Sequence, residues 1–60
     1  MPSDETRRVL KVFGVAVTNL EDAIDGQKPR DEITRWDREL AERTSEVIEL
    51  VERLRGRADR

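Results

Sequence analysis

The sequence predicts an all-α chain: a two-helix antiparallel hairpin that completes a four-helix bundle by dimerisation. Three observations predict it. Apolar residues recur at the three-and-four spacing of one helical face in two long stretches. One strong breaker, Asp25 to Asp31 (Asp-Gly-Gln-Lys-Pro-Arg-Asp), separates those stretches. The chain has only 60 residues, and a chain of that length buries only about 60% of the surface it exposes when unfolded. Small folds gain stability from disulfides, a metal or another chain. With no Cys and no His, the first is impossible and the usual ligands for the second are missing. Association with another chain remains.

Composition agrees with long helices: charged residues are 43% and apolar residues 35% of the chain, with Phe13 and Trp36 the aromatics. A net charge of −2 and periodic apolar residues argue against disorder, which needs a large net charge and scattered hydrophobes. The sequence reads as a single hairpin over 1–60, with a helix over about 4–25, a turn over 26–29, a helix over about 30–55 and a frayed basic tail over 56–60.

In the first helix Ser3 is the natural N-cap, and Asp4 and Glu5 put negative charge on the first turn, where the helix dipole favours it. From there Val9, Leu10, Val12, Phe13, Ala16, Val17, Leu20, Ala23 and Ile24 cover an arc of roughly 160° at 100° per residue. That arc is wider than one neighbour covers, so this helix should touch more than one. A competing reading takes about 8–17 as a strand, because Val-Leu-Lys-Val-Phe-Gly-Val-Ala-Val is rich in β-branched residues. Thr18-Asn-Leu-Glu21 would then open a helix as a capping box. That order resembles ribbon-helix-helix proteins and implies a DNA-binding transcriptional regulator. Against it, both pleat faces would be apolar with Gly14 between them. In the helical reading, Gly14 costs about 1 kcal/mol relative to Ala. It is either a notch for a close backbone or a tolerated surface glycine.

At the corner, Gly26 should supply the left-handed residue that ends the first helix, and Pro29 suits the first turn of the second. Asp31 and Glu32 again place acid at a helix start. This corner, Gly26-Gln-Lys-Pro29-Arg-Asp-Glu32 preceded by Leu20-Glu21, resembles the turn in the small subunit of exonuclease VII, a helical accessory chain without catalytic residues. The resemblance stops at the corner, since Trp36 and the arginine-rich face of the second helix depart from that family.

The second helix carries a narrow stripe, Ile33, Trp36, Leu40 and Thr44, then a wider one, Val47, Ile48, Leu50, Val51 and Leu54. Opposite charges four apart, such as Arg35 with Glu39 and Glu49 with Arg53, line its outer face. Closing the hairpin pairs residues whose numbers sum to about 57, as in a short-looped antiparallel pair. Ile24 then lies beside Ile33, Leu20 beside Trp36, Val17 beside Leu40, Phe13 beside Thr44 and Leu10 beside Val47.

The same register polarises the rod. Arg7, Arg8, Lys11, Arg53, Arg55 and Arg57 gather at the open end, while Glu21, Asp22, Asp25, Asp31 and Glu32 gather at the corner. The basics early and acids late in the first helix oppose its dipole, so a tertiary or quaternary reason for them is expected. Two antiparallel hairpins would set each basic end beside an acidic corner. The residues expected to carry self-association or partner binding are Val9, Val12, Phe13, Ala16, Leu20, Trp36, Val47, Leu50 and Leu54.

Catalytic chemistry finds no footing. His, Cys and Tyr are missing, Ser3 and Ser45 have no evident base, and Glu42, Glu46 and Glu49 lie on the charged face. No cofactor and no metal is expected. The sequence reads as a noncatalytic interaction module, an adaptor, accessory subunit or small regulator. Its partners would be itself, as a homodimer, and another protein. Nucleic-acid binding at the basic end is a weaker reading, because no aromatic residue lies among those arginines. No membrane role is expected: the longest apolar stretch, Val9 to Val17, is interrupted by Lys11. The start of the chain has no run long enough for a secretory core, and the absence of cysteines is compatible with a reducing cytoplasm, the expected location.

Overall fold

The computed structural model describes residues 3–59 and is all-helical among them. Helix α1 spans Asp4–Asp25 and helix α2 spans Arg30–Ala58, packed against each other as a hairpin. The molecule is a rod of 48 × 18 × 13 Å.

Helix α1 starts where the sequence places it. Ser3 is extended (φ −73°, ψ 164°), and its Oγ accepts the Thr6 N–H at 3.1 Å while donating to Thr6 Oγ1 at 3.0 Å. One of the free amides of the first turn is thereby satisfied. The segment 8–17 lies inside α1, so the strand alternative is not realised. A helix satisfies its backbone internally, whereas a strand there would need a second strand beside it.

The turn corrects one detail. Gly26 is not left-handed (φ −80°); Gln27 is, at φ 54°. The helix runs one residue further than a Gly26 terminator requires, so the left-handed position falls on Gln27. Its N–H bonds the Ile24 carbonyl at 3.1 Å, and the Lys28 N–H bonds the Ala23 carbonyl at 3.0 Å, the paired closure of a Schellman motif. Gly26 is needed for room instead: a Cβ there would meet the Asp22 carbonyl oxygen at 2.9 Å. Pro29 precedes the first residue of α2, and its carbonyl accepts the Glu32 and Ile33 amides.

The far end needs a second correction. Residues 56–58 are helical, not frayed, and Gly56 sits within α2. Arg55 and Arg57 place positive charge on the last turn, which the dipole favours, and the Asp59 N–H closes onto the carbonyls of Arg55 and Arg57. Arg60 lies outside the described residues.

The core is thin. Ala16, Ala23 and Leu50 are buried. Around them Val9, Val12, Phe13, Leu20, Ile33, Trp36, Leu40, Arg43 and Val47 are half-buried. On α2 the seam runs Ile33, Trp36, Leu40, Arg43, Val47, Leu50, an unbroken three-and-four alternation, and Thr44 is exposed, its hydroxyl turned to the Leu40 carbonyl at 2.8 Å. Arg43 thus takes the place expected of Thr44. Leu10, Val17 and Ile24 also leave the seam and stand exposed, with Val9, Ala16 and Ala23 facing α2 instead. A single partner helix covers only a narrow stripe of a wide apolar arc.

Candidate interaction surface

The two flanks of the seam differ in chemistry. On one flank Arg53 of α2 pairs with Glu5 of α1, residues 48 apart in sequence, as an antiparallel hairpin allows. Of the five expected pairs only Leu20 beside Trp36 keeps both members half-buried, since Leu10, Val17, Ile24 and Thr44 are exposed. The same flank forms a cleft lined by Glu5, Arg8, Val9, Val12, Arg43, Glu46, Glu49 and Arg53. Arg43 anchors it. The side chain is 22% exposed and reaches Glu42 at 3.2 Å, Glu46 at 3.5 Å and Glu39 at 3.8 Å, while its Nε hydrogen is left without a hydrogen bond. A guanidinium in the seam is held by carboxylates from its own helix. Its charge is therefore matched, but its geometry is not fully satisfied.

The opposite flank is apolar. On α1, Leu10, Val17 and Ile24 recur every seven residues, roughly 100° around the helix from Ala16 and away from Val12. They are 49%, 40% and 53% exposed. On α2, Ile48 and Val51 lie on the side away from Glu46 and Arg53, with Leu54 at the end of the seam. Since the Glu5–Arg53 pair fixes which flanks coincide, Leu10, Val17, Ile24, Ile48 and Val51 share one broad side of the rod, whereas Leu54 lines a cleft at the open end with Glu5 and Arg53. Val15 is exposed on the other side and stands apart.

Most of the residues expected to carry self-association lie in the seam of the hairpin. Ala16 and Leu50 are buried there, and Val9, Val12, Phe13, Leu20, Trp36 and Val47 are half-buried; Leu54 is exposed. Trp36 also carries the Arg35 guanidinium over its ring at 5.1 Å, a cation–π contact along α2. The strip of Leu10, Val17, Ile24, Ile48 and Val51 was missing from that set. The seven-residue recurrence was the available signal: with Val9, Ala16 and Ala23 facing α2, Leu10, Val17 and Ile24 must turn aside. The basic residues Arg7, Arg8, Lys11, Arg53, Arg55 and Arg57 are all exposed, and Glu5 and Glu49 lie among them, so the open end is mixed in charge.

Among the described residues, no helix is long and apolar enough to cross a membrane. No group of three or more acidic, His or Cys side chains there is placed to hold a metal ion. Comparison with protein-family models, with curated proteins and with solved structures finds no match, so the fold and its surfaces carry the functional reading.

Proposed function

We propose that this chain is a noncatalytic protein-interaction module: a helical hairpin that pairs with a second copy into a coiled-coil-like four-helix bundle and acts in the cytoplasm as an adaptor, accessory subunit or small regulator. The observation that carries this reading is the apolar flank. Leu10, Val17, Ile24, Ile48 and Val51 are each more than a third exposed on one side of the rod. Contiguous apolar surface of this kind marks interaction sites.

The shape supports the same reading. The hairpin exposes 5032 Å², whereas a compact monomer of its mass exposes about 4,000 Å². Its radius of gyration is 14.2 Å, against about 10 Å for a compact chain of this length. A second hairpin stacked on the apolar side would remove much of the excess. The broad side measures 48 × 18 Å, close to the area of about 800 Å² per partner that stable interfaces bury.

Light scattering with size exclusion tests the reading across the micromolar range. The expected result is the mass of two chains with a concentration-dependent return to one. A folded monomer at every concentration would overturn it.

A further inference from the structure

Beside the apolar strip runs a second series at the same seven-residue interval: Arg7, Gly14 and Glu21. All three are exposed on α1, adjoining Leu10, Val17 and Ile24. A Cβ placed on Gly14 would meet nothing within 4 Å, so the hairpin itself does not require glycine there. Arg7 and Glu21 have no ion-pair partner among the described residues, although each is one turn or less from the strip.

We propose that the occupant of the apolar flank is a second copy of this chain, stacked antiparallel about a two-fold axis that crosses α1 at Gly14; this rests on the self-association reading above. The charge layout selects this arrangement. Gly14 is midway between Arg7 and Glu21, so an antiparallel copy centred on it sets Arg7 of each chain against Glu21 of the other, twice per dimer. The parallel alternative would set Arg7 against Arg7 and Glu21 against Glu21. The apolar residues follow the same symmetry. Leu10 of one copy meets Val17 of the other, once on each side of the axis. At the axis, where α1 meets α1, Gly14 lets the two backbones approach, as small residues do at helix crossings. The arrangement also gives the early basics and late acids of α1 a role that its own dipole denies them.

Sedimentation equilibrium on four full-length variants tests the proposal, with circular dichroism to confirm that each is helical. R7E and E21R, made separately, should each weaken dimerisation about tenfold at low salt. The double variant R7E/E21R should return to within about twofold of the original, since the exchanged charges pair again across the axis. G14L should weaken the dimer at least as much as either single reversal while raising helicity, because Leu is the better helix former. A dimer indifferent to all four changes, or one that the double variant fails to restore, would overturn the proposed axis yet leave self-association standing. A monomeric parent protein would overturn both.

Discussion

Two side chains in the described residues sit where their chemistry is poorly served. Gln27 holds φ 54°, a conformation that costs a non-glycine residue roughly 1 kcal/mol. Replacing Gln27 by Gly should therefore raise stability by about 0.5–1 kcal/mol, read as a higher urea midpoint with an unchanged slope. Arg43 occupies a seam position with its Nε unbonded and three glutamates around it. Met would fill that place but leave Glu39, Glu42 and Glu46 without their cation. Arg43→Met should therefore stabilise the hairpin, by about 1 kcal/mol, only when Glu42→Gln and Glu46→Gln accompany it, and should gain less alone in the same measurement. Gln27 was not legible from the residues, because a glycine one position earlier is the more natural left-handed residue. Its assignment depends on where the last helical hydrogen bond falls, and one residue of difference moves it.

At the scale of elements, α1 and α2 are held differently. The start of α1 is tied by the Ser3 hydroxyl, whereas α2 begins after Pro29 without a side-chain cap. Ser3→Ala should cost about 1 kcal/mol, and hydrogen exchange should quicken at the Thr6 and Arg7 amides while those of α2's first turn stay as they were. Both helices were legible because each has a periodic apolar stripe, acidic first-turn residues and a breaker at the corner. The extension of α2 to Ala58 was not. Gly56 looks like a terminator, but a glycine ends a helix only where the chain turns left-handed, and here nothing forces it to turn. The seam itself is half legible: the alternation Ile33, Trp36, Leu40, Arg43, Val47, Leu50 is regular if charge is ignored. Apolarity alone selects Thr44's face, whereas spacing selects Arg43.

For the whole molecule the central quantity is what two helices leave uncovered. Three buried side chains among the described residues are a small core for an independent fold. Stability should therefore depend on concentration: the melting temperature should climb by several degrees over a hundredfold rise in protein concentration, a shift scanning calorimetry reads directly. Raising the salt should lower it again if the Arg7 and Glu21 contacts contribute. The corner, the two helices and their antiparallel packing were determined by the sequence, because each follows from local spacing, breaker chemistry and chain connectivity. The expected basic pole was not, since Glu5 and Glu49 lie among the basic residues of the open end. Which apolar residues are spent on the partner helix and which are left over was decided only by the tertiary structure. An arc of roughly 160° has no preferred centre until a neighbour of fixed width is laid on it. The packing of α2 against Val9, Ala16 and Ala23, pinned on one flank by Glu5 and Arg53, turned Leu10, Val17 and Ile24 outward and made them the surface available to a second chain.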